Sequence, residues 1–175
     1  MAEEKHEQVN EKRKAFPQIG DIAVQMLKER GVTIKDIAEL VYFLQKNYHP
    51  ELTLKECIEN VEGVLKKREV QNAVITGIQL DVLAEKNMLD EPLLSIVKTD
   101  EGLYGVDEIL AFSIVNVYGS IGFTNYGYID KMKPGILKYL NDKTNGYVHN
   151  FLDDIVGAIA AAASSRLAHR MEKVE

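Results

Sequence analysis

The sequence of 175 residues contains no tryptophan, four prolines and a single cysteine. One cysteine excludes a disulfide framework within the chain and a zinc site built from cysteines, and it is typical of a reducing compartment. The first residues, MAEEKHEQVNEKRKAF, lack the apolar core that a secretory signal requires. The sequence therefore predicts a cytoplasmic protein.

The chain also lacks a long apolar run and an excess of basic residues. Its longest apolar stretch, residues 109–123, contains Ser113, Asn116 and Ser120 and is short for a membrane span. Lysine and arginine number 21 against 27 acidic residues, which gives a formal net charge of −6. Such a chain has no general attraction to nucleic acid or to an anionic surface. We therefore expect neither a nucleic-acid partner nor a transmembrane span.

Apolar residues recur with the helical period along most of the chain. This pattern predicts an all-α fold, a single-domain bundle of about six or seven helices around a central apolar helix. We expect a flexible arm over residues 1–15 and one helical domain over residues 16–172. The β-branched runs at residues 73–78 and 114–117 could form buried strands, but both lie inside longer segments with the helical period.

Capping patterns predict where the first helices begin. Thr33 has the character of an N-cap, and Thr53 with Glu56 makes a capping-box pattern for the next helix. That helix either continues to Glu85 or bends near Gly77.

The second half of the chain alternates helices and loops. We predict a short helix over residues 93–97, a loop over 99–105 and a very apolar helix over 107–123. Another helix follows over 134–140, and the last spans 151–169 with an alanine-rich centre. The apolar helix and the small residues of the last helix favour a homo-oligomer.

Acidic residues concentrate in residues 99–154, which hold eight acids and four bases. Five of these acids fall in three short segments and form the predicted metal site: Asp107, Glu108, Asp130, Asp153 and Asp154. Oxygen ligands without sulfur favour Mg²⁺ or Mn²⁺ over zinc. Lys131 and Lys133 follow Asp130 closely, and cations beside a carboxylate-held metal suit a phosphorylated substrate. The simpler alternative is that the acidic pairs only cap helix starts.

Three segments resemble the motifs of one known family. GVDEI from Gly105, DKMKP from Asp130 and FLDDIVGA from Phe151 are similar, in order and spacing, to the V-x-D-E, D-x-x-K-P and I-M-x-D-D-x-x-A motifs of the phosphatidylglycerophosphatase A family. The resemblance covers residues 74–168 and is closest to the soluble, YutG-like branch from Gram-positive bacteria. It implies a helical, Mg²⁺-dependent phosphatase that acts on a lipid phosphate.

The resemblance also implies roles for individual residues. The five carboxylates would hold the metal or activate water, with Asp130, Lys133 and Asp153 catalytic, and Lys133 would also bind phosphate. Residues 1–73 contain no G-T-x-G-S-type motif, and Gly127 stands where membrane-bound members carry an arginine. These departures favour an alternative, a catalytically silent helical binding or oligomeric scaffold protein derived from that family.

A few further residues lie near the predicted site in sequence. His149 could act as a general acid or a ligand, although a histidine beside Asn150 in a loop is more often structural. We interpret Tyr118, Tyr126 and Tyr128 as core and hydrogen-bonding residues.

Overall fold

The computed structural model describes residues 19–171, so the arm predicted over residues 1–15 and the predicted domain limit at residue 172 lie outside the described residues. Within that range the chain forms nine α-helices and one short 3₁₀ turn, and it has no strand. The prediction of an all-α, single-domain bundle is confirmed. The helices outnumber the predicted six or seven because the segments over residues 53–85 and 107–123 are each divided between two helices.

The helices are short to medium in length and follow one another through brief connections. None of those in the described range combines the length and the apolar content that crossing a membrane requires. They are α1 (Ile19–Glu29), α2 (Ile34–Gln45), α3 (Leu54–Leu65), α4 (Arg68–Glu85), α5 (Leu93–Thr99), α6 (Val106–Val115), α7 (Ser120–Met132), α8 (Ile136–Leu140) and α9 (Leu152–Met171).

Two capping boxes fix the starts of α2 and α3. The Thr33 hydroxyl accepts a hydrogen bond from the Asp36 backbone N–H at 3.2 Å, and the Asp36 carboxylate accepts one from the Thr33 N–H at 2.8 Å. Thr53 and Glu56 repeat the arrangement at 3.3 and 2.9 Å. Each threonine cap stabilises its helix by about 1 kcal/mol. Both predicted N-caps are therefore confirmed.

The last helix, α9, is the centre of the bundle. Every residue from 151 to 165 is buried, and α9 packs against α2, α3, α4, α6 and α7. Six of the seven residues from 157 to 163 are glycine or alanine, and this small size lets the neighbouring helices approach closely.

The apolar helix predicted over residues 107–123 is divided, and it is not the central one. A 3₁₀ turn and Gly119, whose φ of 86° is readily adopted only by glycine, separate α6 from α7. Ile109 is 64% exposed and Ile121 is 45% exposed. The high apolar content of this segment thus lies partly on the surface of the bundle.

The break between the third and fourth helices falls at Lys66 and Lys67, and α4 continues unbroken through Gly77. A Cβ atom on Gly77 would lie 2.2 Å from Ile155 Cδ1 and 3.0 Å from Phe151 Cβ. The glycine therefore serves close packing of α4 on the central helix rather than a bend.

We expect Gly77→Ala to lower the free energy of unfolding by about 1–3 kcal/mol, because the added methyl overpacks the contact between α4 and α9. Urea unfolding measures this change. Gly127→Ala is the matched control, since that helical glycine has nothing within 4 Å of a Cβ. There the better helix propensity of alanine should raise the free energy of unfolding by up to about 1 kcal/mol. Equal effects of the two substitutions would contradict the close-packing argument.

Candidate active site

Three helix ends converge on one pocket. Asp107 and Glu108 lie in the first turn of α6, Asp130 lies near the end of α7, and Asp153 and Asp154 lie in the first turn of α9. Together with Lys133 they line an open pocket of about 200 Å³. The remaining lining residues are Asp100, Glu101, Gly102, Gly105, Asn141 and Asn150. The fold thus brings together all five acids of the predicted metal site; their roles stay predictions.

Among the described residues that line this acidic pocket, Lys133 is the cationic one. Its Nζ lies 2.5 Å from Asp130 Oδ1 and 3.1 Å from Asp153 Oδ2, so it joins the end of α7 to the start of α9. The residue has left-handed backbone angles, φ 43° and ψ 50°, at the C-terminus of α7. Burial by itself would lower the pKa of Lys133, but the carboxylates of Asp153 and Asp130 raise it above its ordinary value.

Asn150 joins two further carboxylates of the pocket. With its amide nitrogen turned toward them, it donates hydrogen bonds to Asp100 Oδ1 at 3.0 Å and to Asp107 Oδ2 at 2.8 Å. Lys143 Nζ lies 2.5 Å from the other oxygen of Asp100. The loop before α9 is therefore connected to the loop before α6 at the edge of the pocket.

Asp81 in α4 holds the start of the central helix. This fully buried carboxylate accepts hydrogen bonds from the backbone N–H groups of Phe151, at 3.1 Å, and Leu152, at 3.0 Å. Burial raises the pKa of Asp81 to about 8, against the lowering effect of these two donors. Asp81 acts as an N-cap supplied by another helix, and it sets where Asp153 and Asp154 emerge.

Burial shifts the pKa values of three acids at the starts of α6 and α9. It raises the pKa values of Asp107, Asp153 and Asp154 above their ordinary range. The neighbouring charge of Asp153 raises that of Asp154 further, whereas the Lys133 ammonium opposes the rise at Asp153. Ionising all three together requires more positive charge than Lys133 supplies.

The carboxylates are held in pairs. Across the part of the chain that the structure describes, no three acidic, histidine or cysteine side chains are grouped so that they could hold a metal ion. Lys133 lies between Asp130 and Asp153, and Asn150 links Asp107 to Asp100. The pocket contains the oxygen donors that Mg²⁺ prefers, and they would have to turn toward an ion in order to bind it.

Two predicted candidates lie away from the pocket lining. Lys131 is exposed and does not line the pocket, so Lys133 is the lysine placed to meet a phosphate there. His149 is buried, its Nδ1 lies 3.1 Å from the Leu140 carbonyl, and its ring stacks on Tyr147. Burial lowers the pKa of His149. These contacts favour the structural role for this histidine.

Sequence analysis missed three residues that shape the pocket: Asp81, Asp100 and Asn150. Asp81 lies 70 residues before its hydrogen-bond partner Phe151, so no local pattern could reveal the contact. Asn150 stands two residues before the start of α9, and that position was the one available indication of a role there.

Comparison with known proteins agrees with this site. The sequence profile of phosphatidylglycerophosphatase A matches residues 23–169. The chain belongs to the phosphatidylglycerophosphatase A family. The match begins at residue 23, whereas the resemblance seen in the sequence began at residue 74. The family match therefore also includes α2, α3 and most of α1.

Relatives within the phosphatidylglycerophosphatase A family come from Gram-positive bacteria. The uncharacterized protein YutG of Bacillus subtilis (strain 168) is 69% identical over 160 residues, which span 91% of this chain and 96% of YutG. A structure from Bacillus stearothermophilus, of a protein of unknown function, is 74% identical, with a TM-score of 0.85 over 86% of this chain and 94% of its own. The low temperature requirement C protein of Listeria monocytogenes is 69% identical, with a TM-score of 0.87 over 88% of this chain and 97% of the Listeria chain. The predicted YutG-like branch is confirmed.

In one respect the site departs from the membrane-bound members of the phosphatidylglycerophosphatase A family. Gly127, where the resemblance expects an arginine, is exposed, and nothing lies within 4 Å of a Cβ at that position. The phosphate-facing charge of the described pocket lining is therefore that of Lys133.

Without added divalent metal, the free energy of unfolding should fall as the pH rises from about 4 to about 8. The pKa values of Asp107, Asp153 and Asp154 are raised by folding, so the native state binds more protons than the unfolded chain in this range. Asp154→Asn should make the fall shallower and the protein more stable at pH 7, because a neutral amide replaces an acid beside Asp153. Urea unfolding across this pH range measures both. Asp90→Asn, an exposed site outside the pocket, should keep the original slope, and an unchanged slope in Asp154→Asn would count against the argument.

Lys133→Met should lower the free energy of unfolding by about 1–3 kcal/mol at pH 7, because Asp130 and Asp153 lose their shared donor. Thermal or urea unfolding in the presence of a chelator measures the loss. Lys131→Met makes the same chemical change two residues earlier, outside the pocket, and should stay within about 0.5 kcal/mol of the original protein. A loss of the same size in both variants would contradict the central role of Lys133.

Proposed function

We propose that this protein is a metal-dependent phosphatase that hydrolyses a phosphomonoester and uses Mg²⁺ or Mn²⁺. The observation that supports it is the convergence of acids from three distant segments beside Lys133 in one polar pocket. Membership of the phosphatidylglycerophosphatase A family supports the same class of reaction. The proposed metal ligands are Asp107, Glu108, Asp130, Asp153 and Asp154.

The chemistry of the pocket fits a hard divalent cation. The lining side chains offer carboxylate and amide oxygens and neither a cysteine nor a histidine. Asp153 and Asp154 are almost entirely buried and adjacent, so their joint ionisation is unfavourable unless a cation compensates it. A divalent ion supplies that compensation more fully than the single ammonium of Lys133.

The residues of the chain have distinct tasks in such a hydrolysis. The bound metal would polarise the phosphoryl group and lower the pKa of a water molecule. Lys133 donates hydrogen bonds to the phosphoryl oxygens and stabilises the charge that builds up on them. Asp130 or Asp153 either accepts the proton of the attacking water or attacks phosphorus itself. In both routes the P–O bond to the alcohol breaks, and the alcohol oxygen takes up a proton from water as it leaves. In the second route water then hydrolyses the phospho-aspartyl group, which releases phosphate and restores the carboxylate.

The size and the rim of the pocket favour a small phosphorylated group carried on a larger apolar molecule. A volume of about 200 Å³ suits a head group rather than a whole lipid. Leu103 is 92% exposed, and Val106 and Ile109 are also exposed, on the segment that supplies Gly105 and Asp107 to the lining. These observations favour a lipid phosphate head group as the substrate.

The alternative is a catalytically silent binding or oligomeric scaffold protein. The open space around Gly127 and the apolar surface of α6 and α7, including Ile109 and Ile121, favour it. A scaffold has no need of buried neighbouring acids, which destabilise a bundle without serving its packing. The pocket therefore favours the phosphatase.

We expect metal-dependent phosphate release from phosphatidylglycerophosphate, or from a soluble phosphomonoester in a panel that includes glycerol phosphate. Asp130→Asn and Asp153→Asn should each lower kcat/KM by about 100-fold or more. Asp90→Asn should retain the original activity, since that exposed residue lies outside the pocket. Full activity in both pocket variants would overturn the proposal. Failure of the unmodified protein to release phosphate from any substrate with Mg²⁺ or Mn²⁺ would favour the scaffold.

A further inference from the structure

Tyr126 lies in α7 with its ring fixed between two helices. It precedes Asp130 by four residues, so the two side chains share one face of α7. The ring meets Phe112 of α6 edge-on, with centroids 5.4 Å apart. On the other side its Cε2 lies 3.7 Å from the place that a Cβ on Gly157 would occupy. The missing side chain of Gly157 thus admits the ring against α9, one turn beyond Asp153 and Asp154.

The hydroxyl group at the tip of this ring forms no hydrogen bond of ordinary distance and angle among the described residues, although it interacts with the Asp154 side chain and Tyr126 is only 5% exposed. A buried hydroxyl without a partner destabilises a protein by about 1–3 kcal/mol. Burial raises the pKa of Tyr126 well above its ordinary value, and the nearby charges of Asp154 and Asp130 raise it further. The hydroxyl therefore keeps its proton and is available as a donor.

Asp154 lies three residues before Gly157, on the face of α9 against which the Tyr126 ring packs, and among the acids its charge raises the pKa of Tyr126 most. Asp153, its neighbour, already has Lys133 Nζ at 3.1 Å, whereas no lysine or arginine in the described range forms an ion pair with Asp154. Carboxylates that bind a metal are usually held by a second hydrogen bond from the protein. Asp154 lacks such a donor unless Tyr126 provides it.

We propose that Tyr126 is a positioning residue of the pocket, whose hydroxyl donates a hydrogen bond to the Asp154 carboxylate and so orients it toward a divalent cation. The inference rests on the proposed function, because it assigns Asp154 to a metal. Tyr126 does not touch the substrate. Its effect is to hold one ligand oxygen in place, so that less side-chain freedom is lost when the ion binds.

The chain offers a matched control for this hydroxyl. Tyr118 also has a buried hydroxyl with no partner in the described range, but its charged neighbours are Arg166 and Glu69. Tyr118 is absent from the pocket lining. Tyr118→Phe therefore removes a buried hydroxyl in the same way, from a half-buried ring away from the carboxylates of the pocket.

Mn²⁺ binding, followed by electron paramagnetic resonance of the free ion, tests the proposal without any substrate. We expect Tyr126→Phe to weaken the Mn²⁺ affinity by about 10-fold or more, the usual effect of losing an outer hydrogen bond to a metal ligand. Tyr118→Phe should remain within about twofold of the original affinity, and the thermal stability measured with a chelator should fall in neither variant. An unchanged Mn²⁺ affinity in Tyr126→Phe would overturn the proposal.

A double-mutant cycle separates this outcome from failure of the proposed function. In an Asp154→Asn background, Tyr126→Phe should cause no further loss of Mn²⁺ affinity, because the hydroxyl has lost the carboxylate on which it acts. A full additional loss in that background would refute the pairing of the two residues. If the unmodified protein binds no Mn²⁺ at millimolar concentration, the metal site itself fails. If it binds Mn²⁺ and Tyr126→Phe binds it equally well, only the role of Tyr126 fails.

Discussion

The fold depends on how the backbone N–H groups in the first turn of α9 find hydrogen-bond partners, because every residue from 151 to 165 is buried. A helix start leaves backbone N–H groups without partners, and α9 is packed on all sides, so its first N–H groups cannot rely on water. The Asp81 carboxylate of α4 accepts hydrogen bonds from the backbone N–H groups of Phe151 and Leu152, and so provides the partners that water cannot. Because that contact needs the missing side chain of Gly77, packing and capping support each other there. The same turn carries Asp153 and Asp154, so the core sets the geometry of the pocket directly.

The pocket is correspondingly a place where function opposes stability. Adjacent acids in a buried first turn gain from the helix dipole, but they lose more by desolvation, and their pKa values rise. Two side chains offset part of the cost of these buried acids. Lys133 pairs with Asp130 and Asp153, and Asn150 donates hydrogen bonds to Asp100 and Asp107. If capping alone accounted for the acids on α9, one residue at the surface would suffice. Here Asp81 accepts from the Phe151 and Leu152 N–H groups, and Asp153 accepts from the Asp154 N–H at 2.9 Å, so capping explains Asp153 in part and leaves Asp154 without such a role.

Sequence patterns anticipated the features that local chemistry determines. Thr33 and Thr53 cap their helices because the hydroxyl and the acid three residues later lie within one turn of chain, and such spacing is visible in the sequence. The segment over residues 107–123 was predicted wrongly, since its apolar composition gave no indication that Gly119 takes a left-handed conformation. The contact of Asp81 with Phe151 depends on how helices distant in sequence pack together. Convergence of the five acids could be expected from family motifs, while their pairing with Lys133 and Asn150 required the three-dimensional structure.

On the proposed function, Lys133 and a divalent ion are alternatives for the same negative charge. The Lys133 side chain is 28% exposed and sits at the edge of the pocket, so its ammonium can leave Asp130 and Asp153 without unfolding α7 or α9. If Asp130 and Asp153 held a metal, the Lys133 ammonium would be free to turn toward the solvent side and to bind a phosphate there. Metal binding then raises the affinity for phosphate in two ways, through the charge of the ion and through the freed lysine. By thermodynamic linkage, phosphate must strengthen metal binding by the same factor. The acidity that discourages anions from approaching the protein thus becomes, once a metal is bound, the basis for selecting a phosphorylated one.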